Sequence, residues 1–155
     1  MINPGNTIND GLTTDCKSNG GTVWSYNQGV ILGALAELNK AASDGEYLNK
    51  AKDIATAAIS SLGSSGVLKD PCEPNCGADG NQFKGVFMRG LQRLQEASPE
   101  DQFAKFIQAN ADSIWANDRN GQNELGVVWA GPFVDPATAS TQSSALDALV
   151  AAVNF

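Results

Sequence analysis

Shifted along itself by 56 residues, the chain falls into register with its own sequence. Gly29-Val30-Ile31-Leu32-Gly33-Ala34-Leu35-Ala36-Glu37-Leu38 lands on Gly85-Val86-Phe87-Met88-Arg89-Gly90-Leu91-Gln92-Arg93-Leu94. The same shift places Tyr47 on Phe103, Ala51 on Ile107, Ala55 on Ala111 and Ala58 on Ile114. Each unit reads as a helix, a short connection, a second helix and a long loop. A third copy begins with Ser143-Ser144-Ala145-Leu146-Asp147-Ala148-Leu149 and carries one helix. One helix pair cannot cover its own apolar face, so repeated pairs stack side by side. The expected fold is all-α, with αα-hairpin repeats forming a single domain over residues 1–155.

The apolar periodicity predicts helices over about 25–41, 44–62, 81–97, 99–117 and 142–153. Ser43-Asp44-Gly45-Glu46 reads as a capping box for the second of these. Ser98-Pro99-Glu100-Asp101 reads as the start of the fourth, with Ser98 as N-cap, proline in the first turn and acids facing the positive helix end. The first, third and fifth helices are apolar over much of their circumference, so they are expected inside. The second and fourth carry one apolar stripe and are expected outside. The connections near Ala42 and Ala97 are tight, whereas those ahead of the inner helices (9–24, 63–80 and 118–141) are long. Long ordered loops gathered at one end of a helical scaffold are where binding sites usually sit.

Composition removes several functions. Ten basic residues against 17 acidic ones give a net charge of −7. Binding to nucleic acid or an anionic membrane would be opposed by that charge. With no histidine, the chain cannot supply a Ser-His-Asp triad, a histidine general base or a histidine-containing zinc site. No metal and no cofactor is expected. No run of 18 apolar residues occurs, so no transmembrane segment is expected. Met1-Ile2-Asn3-Pro4-Gly5-Asn6 lacks the basic and apolar regions of a signal peptide. The cysteines are Cys16, Cys72 and Cys76. The last two sit in the turn-rich Pro71-Cys72-Glu73-Pro74-Asn75-Cys76-Gly77, where a four-residue separation can reach disulfide geometry. A Cys72–Cys76 disulfide is the expectation, with two reduced thiols as the alternative. Cys16 is left free or paired outside this chain.

Three clusters converge on the loop-bearing end. They are Trp24-Ser25-Tyr26-Asn27-Gln28-Gly29, Glu73 with Asp79-Gly80-Asn81-Gln82-Phe83-Lys84, and Trp129-Ala130-Gly131-Pro132-Phe133 with Asp135. Aromatic faces beside amides and carboxylates suit a sugar ring, whose C–H face stacks and whose hydroxyls need donors and acceptors. Each cluster has a plainer reading beside this one. Trp24 and Tyr26 serve equally as core anchors, and Glu73 as an acceptor of backbone N–H groups in its own loop. Lys84 and Arg89 are expected to pair with carboxylates rather than touch a ligand. Trp129 lies in the strand-like run Leu125-Gly126-Val127-Val128-Trp129 and reads equally as core. Asp118-Arg119-Asn120-Gly121-Gln122-Asn123-Glu124 has calcium-loop composition, but its glycine is misplaced for an EF-hand. Glycoside hydrolysis usually uses two carboxylates at a set separation. Spacing selects no such pair here, and no Asp-Asp dipeptide occurs.

Five ordered blocks over about residues 9–150 carry a resemblance. They are Trp24 to Val30, Pro71 to Cys76 with Asp79 to Phe87, Ser113-Ile114-Trp115-Ala116-Asn117, Trp129-Ala130-Gly131-Pro132, and Ser140 to Leu149. Together they resemble glycoside hydrolase family 76, the endo-α-1,6-mannanases and the related fungal cell-wall mannosidase/transglycosylase proteins. The Cys-Glu-Pro-Asn-Cys loop is most similar to the fungal branch. The resemblance implies an (α/α)6 toroid, of which five helices would make about half, the C-terminal half. It implies retaining cleavage or transfer of α-1,6-mannan by two adjacent aspartates, in a secreted or cell-wall setting. Those aspartates belong to the half not represented here, so no catalytic residue is assigned. Tyr26, Asn27, Gln28, Glu73, Asp79, Lys84 and Trp129 are assigned as substrate-binding or cleft-supporting positions. The implied partners are α-mannan and either the N-terminal half or a second copy of the chain. A non-catalytic mannan-binding half-barrel is the alternative.

Overall fold

The computed structural model describes residues 2–42 and 45–155. The expected capping box of the second helix, Ser43 and Asp44 with Glu46, lies partly outside the described residues. Among the described residues five long helices form: α1 (Ser25–Ala42), α2 (Gly45–Leu62), α4 (Phe83–Ala97), α5 (Asp101–Asn117) and α6 (Ala139–Ala152). A single helical turn, α3 (Gly77–Gly80), precedes α4. The inner row runs α1–α4–α6, with α2 backing α1 and α5 backing α6 and α4. This is the inner and outer arrangement that the apolar patterning called for.

The helix faces follow the spacing of their side chains. Along α2, Ala51, Ile54, Ala55, Ala58 and Leu62 recur at helical intervals, and all are buried. Along α5 the same stripe is Phe103, Phe106, Ile107, Ala111 and Ile114. They close over Leu32, Leu35, Phe87, Met88, Leu91 and Leu94 of the inner row, and Phe87 meets Phe106 edge to face at 6.4 Å. The inner helices approach more closely still, because two glycines leave out their side chains. A Cβ on Gly90 would overlap the Gly29 carbonyl oxygen, and one on Gly29 would stand 2.7 Å from the Phe87 nitrogen.

Two helix starts differ from expectation. Ser98 does not cap α5; it terminates α4, donating its N–H to the Leu94 carbonyl. The N-cap of α5 is Glu100, whose N–H is taken by the Gln95 side chain at 2.9 Å. Gln95, reaching over from the end of α4, therefore satisfies the donor that Ser98 was expected to serve. The last helix begins earlier than 142, because Thr138 and Thr141 form a reciprocal capping box.

The long loops are built from short ordered pieces. Ser65 and Gly66, both with positive φ, make the two-residue turn of a small hairpin. It pairs β1 (Gly63–Ser64) with β2 (Val67–Leu68). That is the backbone a tight hairpin favours. Three other segments share one design: Ile2 to Ile8, Leu12 to Ser18 and Arg119 to Leu125. Each closes with an antiparallel bridge and carries a left-handed residue four places in, namely Asn6, Cys16 and Asn123. Their internal backbone bonds coincide too, as in Asn6 N–H to Asn3 O, Cys16 N–H to Thr13 O and Asn123 N–H to Asn120 O. A turn followed by one left-handed residue is a common three-residue hairpin loop. The third copy is the stretch with calcium-loop composition. In it Asn120 Oδ1 accepts from the N–H groups of Gln122 and Glu124. No strand forms at Leu125–Trp129, contrary to expectation.

Candidate carbohydrate-binding face

The starts of the inner helices are tied to the long loops by one recurring position. Gln28 of α1 and Lys84 of α4 each stand one residue before a glycine at a close helix contact, and Gln142 of α6 stands two before Ser144. Gly29 abuts Phe87, and Gly85 donates to Ser144 Oγ at 2.9 Å. Gln28 accepts from the Ile8 N–H at 2.8 Å and donates to the Ile8 carbonyl at 2.7 Å. Gln142 accepts from the Leu125 N–H at 2.9 Å. Ile8 and Leu125 are the closing residues of two of the matching hairpins, so a glutamine amide fastens each hairpin to its helix.

The middle repeat departs from this pattern. Its loop is the Cys72–Cys76 segment, which the structure shows disulfide-bonded, and its fastening residue is charged. Lys84 is 2% exposed, and its Nζ donates to Glu73 Oε1 at 2.6 Å and to the Val127 carbonyl at 2.5 Å. The ammonium also lies 4.5 Å from the centre of the Trp129 ring. Glu73 Oε1 further accepts the Asp70 N–H at 2.8 Å. Asp70 in turn caps α1, accepting from Ser25 N–H at 2.8 Å and Ser25 Oγ at 2.5 Å. One lysine thus joins the loop before α4 to the loop after α5, and Asp70 joins the former to the start of α1.

The electrostatics follow from burial. Desolvation pushes the Glu73 and Asp70 carboxyls up and the Lys84 ammonium down, while the attraction between them works the other way. Facing Glu73 at 2.6 Å, with a carbonyl as second acceptor, Lys84 keeps its charge.

Asp118 is the outlying member of this group. It is completely buried, and among the described residues neither carboxylate oxygen has a hydrogen-bond partner. The Val128 N–H lies near it without hydrogen-bonding geometry. Its space is left by Gly126, where a Cβ would collide with Asp118 Oδ1 and stand 3.2 Å from the Phe133 ring. Burial raises the Asp118 carboxyl to about 7, against the pull of Lys84 and with a further push from Glu73. Between about pH 4 and 7 the folded chain therefore holds a proton that the unfolded chain has released. Stability from this group is complete in acid and falls as pH rises through that window. Asp118→Asn should flatten this dependence. It should leave the variant about 1–3 kcal/mol more stable than the parent at pH 7.5, since each tenfold change in proton affinity is worth about 1.4 kcal/mol. Urea unfolding at pH 5 and pH 7.5 measures the difference; parallel curves for parent and variant would refute it.

The remaining assigned positions occupy three settings. Tyr26 is half-buried; its ring sits 4.4 Å from Phe83, and its hydroxyl donates to Asp10 at 2.9 Å. Burial first, and Asp10 second, raise the Tyr26 hydroxyl pKa. Trp24 meets the same Phe83 edge-on at 5.6 Å. Asn27 follows, with a buried and unpartnered Nδ2. Asp79 is exposed on α3. Gln28, Lys84 and Trp129 are covered by protein on every side. Arg89, as anticipated, pairs with a carboxylate, that of Asp147 on α6. Asp70 escaped sequence reasoning, because it meets Ser25 45 residues away along the chain, and Asp118 was read only as the head of a stretch with calcium-loop composition.

A profile of glycosyl hydrolase family 76 matches residues 1–154. The chain belongs to glycosyl hydrolase family 76. Among solved structures, the family 76 α-1,6-mannanase of Salegentibacter sp. is 25% identical, with a TM-score of 0.86 over 99% of this chain and 47% of that one. An inactive variant of the Salegentibacter enzyme, with two consecutive aspartates replaced by asparagine, is bound to α-1,6-mannotriose. It is 26% identical, with a TM-score of 0.77 over 85% of this chain and 40% of that one. Dfg5 from Chaetomium thermophilum, in complex with glucosamine, shares the fold, with 22% identity and a TM-score of 0.80 over 97% of this chain and 40% of that one. The family 76 chain described here thus spans less than half the length of these α/α toroid relatives. A search of curated protein sequences gives no match. Among the described residues, no helix is long and apolar enough to cross a membrane.

Proposed function

We propose that this chain forms the sugar-holding part of a mannan-active glycoside hydrolase, working on α-1,6-mannan by retaining hydrolysis or transglycosylation at a fungal cell wall. The observation that carries this reading is the likeness, over nearly the whole chain, to a mannanase whose variant holds an α-1,6-mannotriose. The Tyr26–Phe83–Trp24 aromatic group, with Asp10 on the Tyr26 hydroxyl, offers a stacking face with a hydrogen-bonding edge. In this reading Tyr26, Asn27 and Asp79 stand toward the glycan. Gln28, Glu73, Lys84 and Trp129 hold the loops that present them. Such an enzyme works outside the cell or in its wall.

Glycosidases of this kind use two carboxylates. The consecutive aspartates of the mannanase have no matching dipeptide in this sequence. The purified chain is therefore expected to release no reducing ends from α-1,6-mannan. Mixed with the N-terminal half of a related family 76 barrel, it should gain activity. Turnover by the chain alone that disappears with Glu73→Gln or Asp79→Asn would overturn the assignment. The missing dipeptide also favours a second reading, a non-catalytic mannan-binding half-barrel. Glycan binding without activity in either preparation would support that one.

The inner row also leaves apolar side chains in water. Val30 and Leu38 of α1 are 59% and 47% exposed, and Leu146 and Val150 of α6 are 44% and 57% exposed. Patches of this kind mark interaction surfaces. The isolated chain is expected to sediment as a dimer or larger at tens of micromolar, and a monomer at every concentration would count against this.

A further inference from the structure

The surface that α2 offers to α5 recurs on α5 itself, where it faces solvent. In the first unit two side chains of α2 receive the start of α5. Lys52 Nζ donates to Glu100 Oε1 at 2.6 Å, and Gln102 Nε2 donates to Thr56 Oγ1 at 3.0 Å. At the neighbouring positions of α2, Ala55 is fully buried and Ile59 is half-buried against the core. The 56-residue shift carries Lys52, Ala55, Thr56 and Ile59 onto Gln108, Ala111, Asp112 and Trp115 of α5. These four, with Leu149, Ala152 and Val153 of α6, line a groove of about 350 Å³. Whereas Ile59 is half-buried, its counterpart Trp115 is 51% exposed, and Val153 across the groove is 84% exposed.

The spacing of the lining residues restricts what fits. Positions 108, 111, 112 and 115 follow one face of α5 for two turns, about 10 Å, and 149, 152 and 153 follow one face of α6. A channel between two helices takes the side-chain ridge of a third. Trp115, Leu149 and Val153 make its carbon surface, which calls for an apolar stripe. The polar lip sets the direction. Asp112 stands at the position where Thr56 accepts from Gln102, and its carboxylate suits the positive end of a helix with an amide or basic side chain in its first turn. The net charge of −7 favours such a partner as well. The chain matches 47% of the mannanase toroid, so in a closed ring the rest of the barrel adjoins the end of the row at α5 and α6.

We propose that this groove seats one further outer helix, amphipathic and with an amide or basic side chain in its first turn, supplied by the N-terminal half of a family 76 barrel. This rests on the reading that the chain works with such a half, and it names the surface that joins them. The ¹⁵N-labelled full chain is titrated with two probes: the N-terminal half of the Salegentibacter mannanase, and a synthetic peptide of residues 98–117, the helix that α2 receives in the first unit. Saturable shifts are expected with both at Gln108, Asp112, Leu149, Val153 and the Trp115 indole. Trp115→Ser, at an exposed position, should weaken binding roughly tenfold or more, as loss of a tryptophan anchor does. Asp112→Lys should weaken it severalfold. Binding of the half with shifts confined to Val30, Leu38, Leu146 and Val150 would overturn the seat and leave the partnership standing. Groove shifts with the peptide but none with the half would overturn the N-terminal half as occupant. Groove shifts that follow the concentration of the chain alone would assign the seat to a second copy instead. Groove shifts untouched by Trp115→Ser would overturn the seat, and no shift with either probe would overturn seat and partnership together.

Discussion

Lys84→Met should destabilise the chain by about 3–5 kcal/mol, the usual consequence of removing one partner of a buried ion pair. Methionine fills a similar volume, so the loss is electrostatic. Glu73 would keep its Asp70 N–H but lose its ammonium, Val127 O would lose its donor, and Asp70 and Asp118 would lose the attraction of the Lys84 charge. The double substitution Lys84→Met with Glu73→Gln separates charge from packing. If stranded charge is the cause, the double variant is more stable than Lys84→Met alone. Equilibrium urea unfolding reads both. A loss under about 1 kcal/mol for Lys84→Met would show that the ammonium adds little to holding the two loops together.

Gly90→Ala is expected to cost about 3 kcal/mol, at the top of the range for overpacking, because the obstacle is backbone. The added methyl would fall on the Gly29 carbonyl, and a helix carbonyl cannot rotate aside as a side chain can. The helices α1 and α4 would have to separate, loosening Leu32, Phe87 and Leu91 together. Gly45→Ala is the matched control. Among the described residues nothing lies within 4 Å of that Cβ, and alanine there should be neutral or stabilising. Thermal unfolding of the two variants should therefore move in opposite directions or differ by many degrees. Equal midpoints would mean that the inner row tolerates a wider spacing.

The helices and the repeat were legible because both are written in apolar spacing, which is local. The inner and outer roles followed from how much of each helix is apolar. Loop structure was harder to read. Ser98 looked like a cap because serine before proline usually is one, yet Gln95 of the preceding helix supplies that hydrogen bond. Ser65-Gly66 carries a hairpin signal, but the strands it joins are two residues each, too short to show alternation. At the site, the sequence pointed to Lys84 pairing with a carboxylate and to Glu73 accepting a backbone N–H, but not to the wider tether that they form. That depends on Val127, 43 residues away, and on Asp70 capping a helix 45 residues before it. Asp118 was legible only as part of a stretch with calcium-loop composition, since what sets it apart is the lack of a hydrogen-bond partner among the described residues.

The reach of these tethers has its own consequence. Leu68 with Asn110, Ser25 with Asp70, Lys84 with Val127 and Gly85 with Ser144 are separated by 42 to 59 residues in sequence. That is about one repeat. Each unit is therefore fastened to its neighbour, and each unit added to such a stack adds an interface. Folding can begin at any adjacent pair and spread along the row, so such a row can hold its shape at its centre while its outermost helices fray.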